Sequence, residues 1–198
     1  MEHICLSGGA EGADLQFGMC AGSAGHTVIH FHFKGHKSSA PQVELVELTT
    51  EQLQAADEYV KRANGTLKRR FPTSKGFVNN LLRRNWYQVE NSERCYAVAT
   101  IKNGLVQGGT AWATQMFIDK HYGAACECYV FCQESGKWFK WEGFWNEILL
   151  PPVPHGVWTG IGSRELKTNG KEAIRNLLGW ENEKNKNNLH DLRETNTD

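Results

Sequence analysis

The chain has 198 residues, of which 40% are hydrophobic and 22% charged, and its 22 basic and 22 acidic side chains give a formal net charge of +0. That length suits one domain able to bury a core, and the composition excludes a disordered chain. Balanced charge excludes a protein that holds a nucleic-acid backbone through its overall field, so nucleic acid is not an expected partner.

No run approaches the roughly 20 apolar residues of a membrane span. The opening Met1-Glu2-His3-Ile4-Cys5 lacks the basic-then-apolar pattern of a signal peptide. No membrane partner and a cytoplasmic location are therefore expected. In that compartment the six cysteines should be reduced. Cys126, Cys128 and Cys132 share one face if their segment is a strand, a spacing open to a metal. No Cys-x-x-Cys or nearby Cys-x-x-His accompanies them, so small buried thiols are the reading and no metal is expected.

Residues 3–6 form a short apolar run broken by Ser7-Gly8-Gly9, the pattern of a buried strand entering a tight turn. A helix over 14–24 follows, with Leu15, Phe17 and Met19 inward and Gly25 as its stop. Alternation over 27–33 reads as a second strand, completing a βαβ unit of a parallel sheet. Residues 35–43 are a polar loop. The next helix opens on a Thr49/Gln52 capping box, buries Leu53, Ala56, Val60 and Ala63, and ends at Gly65. After a basic connector at 68–72, a helix from Ser74 buries Val78, Leu81, Leu82, Trp86 and Val89.

An apolar strand at 95–101 leads through Asn103-Gly104 to Gln107-Gly108-Gly109-Thr110 and a helix carrying Ala113, Met116 and Phe117. A strand at 128–132 and an edge strand or hairpin arm at 138–141 come next. Past a proline-marked loop, a strand at 157–159 meets the turn Gly160-Ile161-Gly162-Ser163-Arg164. The last helix turns Ala173, Ile174, Leu177 and Leu178 inward. Residues 1–180 thus read as one domain, and the Asn/Lys/Glu-rich residues 181–198 as a disordered polar tail.

Small residues crowd the strand-to-helix turns at 7–14, 107–111 and 160–164. In an open parallel sheet, ligands sit beyond the carboxyl ends of the strands, where such turns gather. Glycine lets the backbone approach a phosphate, and N–H groups at a helix start attract the anion. Glycines that serve only to turn the chain are the alternative.

The motifs Ser7-Gly8-Gly9-Ala10-x-Gly12-Ala13-Asp14, Gly108-Gly109-Thr110 and Gly160-Ile161-Gly162-Ser163-Arg164-Glu165 resemble the SLOG superfamily. That group includes the DNA-processing protein DprA and the LOG phosphoribohydrolases. Arg84-Asn85-Trp86-Tyr87-Gln88 is similar to the Arg-Asn-x-x-Gln pattern of its small YpsA-like members. The resemblance implies a Rossmann-like, doubly wound α/β fold: a mainly parallel sheet flanked by helices, here with a small edge hairpin. In the family the Gly-Ile-Gly-Ser-Arg strand precedes the Ser-Gly-Gly-Ala strand. The reversed order here implies a circular permutation, which requires the strands at 3–7 and 157–160 to be near neighbours.

A nucleotide-type ligand is expected, with no cofactor required. Its phosphate would rest on Gly8, Gly9, Gly108 and Gly109, with Ala10, Thr110, Gly162 and Ser163 in the same turns and Gln88 beside them. Arg84 and Arg164 would neutralise it, since guanidinium binds phosphate bidentately. Ser7, Asp14 and Asn85 would read ribose or base; capping a turn is the alternative for Asn85. Arg69, Arg70 and Arg83 read as solvated surface. His30 and His32 share a strand face and read as polar lining rather than metal ligands, no third ligand being evident.

Binding without turnover is the favoured function. In the LOG phosphoribohydrolases a Pro-Gly-Gly-x-Gly-Thr-x-x-Glu motif supplies a glutamate; by position that residue is Gln115 here, which cannot serve as a base. The alternative is a nucleotide hydrolase using Glu11, Asp14 or Glu165, although Asp14 also suits a helix N-terminus. A second alternative is DprA-like binding of single-stranded DNA. Resemblance further suggests a homodimer, with Trp86, Trp112 and the hairpin as contact points.

Overall fold

Apolar runs of four to seven residues, each closed by a glycine or polar turn, supply the strands of one large sheet. The computed structural model describes residues 2–122 and 125–180; the polar segment 181–198 lies outside them. The chain opens with β1 (Ile4–Ser7), α1 (Ala13–Ser23), β2 (Thr27–Phe33) and β3 (Leu45–Leu48). Three helices follow, α2 (Thr50–Ala55), α3 (Asp57–Leu67) and α4 (Gly76–Val89), and then β4 (Arg94–Ala99). A two-stranded hairpin of β5 (Ile101–Lys102) and β6 (Leu105–Val106) leads into α5 (Thr110–Lys120). The chain closes with β7 (Cys128–Cys132), β8 (Lys137–Trp141), β9 (Trp145–Ile148), β10 (Val157–Gly162) and α6 (Thr168–Leu177).

Eight strands form the main sheet in the order β3-β2-β1-β10-β4-β7-β8-β9. The first six of that order run parallel, and β8 and β9 add an antiparallel edge. β10 lies between β1 and β4, with Ile4 opposite Val157 on one side and Arg94 opposite Trp158 on the other. Helices α1 and α6 cover one face, where Phe17, Tyr96, Trp158 and Ile174 are buried together. Helices α3, α4 and α5 cover the other, around Val60, Trp86, Met116 and Phe117. The fold is a mainly parallel α/β sheet flanked by helices, with a small hairpin.

Several local expectations change. The helix opened by Thr49 is two helices that divide at Ala56; the capping box is present, Thr49 N donating to Gln52 Oε1 at 2.8 Å and Gln52 N to Thr49 Oγ1 at 3.2 Å. Gly65 lies inside α3, because Leu67 still packs on the core, and Lys68 in the left-handed region (φ 51°) ends it instead. Met19 is 54% exposed: two residues beyond inward-facing Phe17, it falls on the opposite side of α1. β3 and β9, both short and carrying a glutamate (Glu47 and Glu147), form the two edges of the sheet and have no marked apolar alternation.

Gly160 and Gly162 belong to β10 rather than to a turn. They let α1 lie directly on the strand: a Cβ on Gly160 would come within 2.5 Å of the Phe17 ring, and one on Gly162 within 2.6 Å of the Ala13 methyl. Trp86 and Trp112, proposed as dimer contacts, are buried within the chain, Trp86 stacked on Tyr59 at 3.5 Å and Trp112 tilted against Phe71.

Candidate functional site

β10 and β4 are neighbours, and the helices that follow them leave toward opposite faces: α6 joins α1, while α5 joins α3 and α4. Such a switch point opens a crevice at the carboxyl ends of the strands. A cleft of about 420 Å³ occupies it. Ala10, Glu11 and Asp14 line it from the β1–α1 turn, Arg84, Asn85 and Gln88 from α4, Gly108, Gly109 and Thr110 from the start of α5, and Gly162, Ser163 and Arg164 from the end of β10. Val78, Leu81 and Leu82 add an apolar wall. Residues separated by up to 154 positions are thus brought to one place.

At the base of the cleft lies a buried ion pair. Asp14 and Arg84 are each 5% exposed, with Arg84 Nη2 3.4 Å from Asp14 Oδ2. Gly162 N donates to Asp14 Oδ1 at 2.9 Å and Gln88 Nε2 to Asp14 Oδ2 at 3.2 Å. Arg84 Nη1 also donates to the carbonyl of Gly8. Burial raises the Asp14 carboxyl above its ordinary value; Arg84, the Gly162 amide and Gln88 oppose the rise. Burial likewise lowers the Arg84 guanidinium, against the pull of Asp14. Asp14 is therefore a clamp whose oxygens are occupied, and most of the charge of Arg84 is answered inside the protein. Within this pair, Arg84 Nε is buried without a hydrogen-bond partner.

This clamp explains the first turn. A Cβ on Gly8 would overlap the Arg84 guanidinium, so only glycine fits beneath it. Gly12 holds φ at 101° while passing the Ser163 and Arg164 carbonyls, and Ala13 N donates to Ser163 O at 3.1 Å. Gly8 and Gly9 are buried and do not line the cleft; Gly9 O instead accepts from Ser38 Oγ at 2.6 Å. Ser7 is fully buried, its Oγ 2.6 Å from Gly160 O and 3.0 Å from Asp14 O, so it ties β1 to β10 and α1 rather than facing the cleft.

The start of α5 is more open. No side chain caps it, and a Cβ on Gly108 or Gly109 would meet open space. Asn85 Nδ2 donates to Gly109 O at 3.4 Å, fixing its amide at the cleft wall. Arg69 holds the turn from outside, donating to Gly108 O at 2.7 Å and Val106 O at 3.0 Å. It is thus a structural anchor rather than solvated surface. Arg83 also differs from expectation, with Nε 2.6 Å from Asp57 Oδ1; Arg70 is exposed.

Among the carboxylates proposed for catalysis, Glu11 lines the cleft and is exposed. Asp14 is engaged as described. Glu165 is exposed and does not line the cleft. Gln115 donates to Asp119 Oδ1 at 2.7 Å and likewise stands outside the cleft lining.

His30 is fully buried with neither ring nitrogen hydrogen-bonded, Nε2 standing 3.6 Å from Glu44 Oε2. Burial, with Arg84 adding to it, lowers its pKa to about 4. All six cysteines are free thiols, five of them buried. Among the described residues no three His, Cys, Asp or Glu side chains stand together as a metal site, and no helix is long and apolar enough to cross a membrane.

The roles of Arg69 and Ser38 are not legible in the sequence, since a hydrogen bond from a loop to a distant carbonyl leaves no local pattern. The Lys/His/Ser content of residues 35–39 is the one visible signal. No family model, curated protein or solved structure matches the chain.

Proposed function

We propose that the cleft holds a nucleotide or nucleotide-derived ligand and leaves it intact, as a sensor or sequestering module does. The observation that carries this reading is the uncapped, glycine-flanked start of α5 facing the basic side chain of Arg164 across a switch-point crevice. A helix start with open glycines favours an anion, and Arg164 supplies a cation that is in no ion pair among the described residues. The apolar wall of Val78, Leu81 and Leu82 suits a base or sugar face.

Intact binding is favoured over N-glycosidic cleavage because Asp14 has its oxygens occupied and Glu165 stands off the cleft. Hydrolysis would have to rely on Glu11 alone. A SLOG-like ancestry with permuted ends accords with the parallel pairing of β1 and β10 and remains part of the proposal. The net charge of +0 disfavours the single-stranded DNA reading.

The test is a thermal-shift screen of the full chain against AMP, ATP, NAD and cyclic AMP, with chromatography of every hit. A ligand at 100 times its Kd stabilises the folded state by about 2.7 kcal/mol, which raises Tm by about 5–11 °C for a chain of this size. A shift with the nucleotide recovered whole is the expected result. Release of free base would establish the hydrolase instead, and the absence of any shift would refute a nucleotide site.

A further inference from the structure

A second cleft, about 820 Å³, lies on the far side of the β1–α1 turn, above the end of β2. It shares Ala10, Glu11 and Arg164 with the first, so the two meet along one ridge. His32, His36 and Lys37 project into it from β2 and the loop that follows, and Glu11 is the one acid in its lining. Lys37 and Arg164 are in no ion pair among the described residues.

We propose that this second cleft is an anion subsite, and that the ligand is a nucleotide carrying a second phosphoester remote from the group bound in the first cleft. The inference rests on the nucleotide reading of the first cleft. In dinucleotide-binding sheets, the position after the second strand carries a carboxylate when it reads a ribose diol and a cation when it reads a phosphate. Here the residues leaving β2 are Lys34, Gly35, His36 and Lys37, with no acid among them.

Two further observations fix the position of His36. The Nδ1 atom of His36 is buried without a hydrogen-bond partner. Its ring is held in place, stacked on Phe33 at 5.3 Å, with Phe77, 48% exposed, at the mouth of the cleft. Burial, then Arg84, His32 and Arg164, lower the His36 pKa to about 4, so its ring is neutral near pH 7 and the cations of the cleft are Lys37 and Arg164. The loop is fixed to the shared ridge, because Ser38 Oγ donates to Gly9 O at 2.6 Å and accepts from Ala40 N at 3.1 Å.

Inorganic pyrophosphate is the probe, titrated into the full chain while the histidine ring protons and backbone amides are followed by NMR. Pyrophosphate should move the His32 and His36 resonances, and Lys37→Ala should weaken that response about five-fold. Lys37→Ala should leave the AMP-induced shifts of the Gly109 and Thr110 amides unchanged. Still histidine resonances, or a response that Lys37→Ala does not weaken, overturn the second subsite even when AMP moves Gly109 and Thr110. If AMP fails to move those two amides, the nucleotide reading itself fails, whatever His32 and His36 do.

Discussion

Replacing Asp14 by asparagine leaves the Arg84 guanidinium buried with no opposing charge. At 3.4 Å and an effective dielectric constant near 20, the lost attraction is about 5 kcal/mol. Desolvation of the carboxylate is no longer a cost in the variant, and the asparagine oxygen still accepts from Gly162 N, so the net loss is smaller. Breaking one side of a buried pair typically costs about 3–5 kcal/mol, a large part of the roughly 5–15 kcal/mol that holds a domain folded. The expected fall in Tm is about 6–20 °C.

Urea denaturation of Asp14→Asn, Arg84→Met and the double variant forms the cycle. The double variant should lose less than the sum of the single losses by about 2–3 kcal/mol, because removing both charges strands neither. The two single variants should also respond differently to acid. In Arg84→Met the carboxyl is buried without its cation, its folded pKa rises further above the unfolded value, and stability is gained as pH falls through it. Asp14→Asn has no such group. Single losses below about 1 kcal/mol that simply add would refute the clamp, and would return Arg84 to the role of a ligand contact.

The folded pKa of His30, about 4, lies below its ordinary value of about 6.5, so the unfolded chain binds the extra proton first. Stability is therefore full above pH 6.5 and declines as pH falls toward 4, by about 3 kcal/mol for His30 alone. Neither nitrogen has a hydrogen-bond partner, so His30→Leu should leave the urea midpoint at pH 7.5 nearly unchanged and flatten the acid decline. A variant whose acid limb matches the parent's would rule out His30 as its source. At the glycines, Gly108→Ala should cost about 1 kcal/mol, since only its positive φ resists a side chain. Gly8→Ala should cost several times more by displacing Arg84. Calorimetric melting that gave equal losses would contradict the close approach of Arg84 to the first turn.

Periodicity made most of the fold legible. Leu53, Ala56, Val60 and Ala63, and later Ala173, Ile174, Leu177 and Leu178, recur at helical spacing, and all are buried. β7 falls on the residues read as a strand, 128–132. These elements show in the sequence because burial on one face imposes a local repeat. β3 and β9 did not show, since a strand paired on one side only needs no strong apolar alternation.

The sequence by itself determined which turns would gather at the cleft: Ala10, Asp14, Gly109 and Arg164 all line it, because glycine and polar residues between a strand and a helix mark strand ends wherever they lie. It could not assign their tasks. Asp14 and Arg84 read equally well as ligand contacts, and only their approach across 70 residues converts them into a clamp. Gly160 and Gly162 read as a phosphate turn until α1 is laid upon β10. Charge neutralisation and close contact are properties of pairs distant in the chain, so tertiary structure alone decided which glycines face a ligand and which face a neighbouring helix.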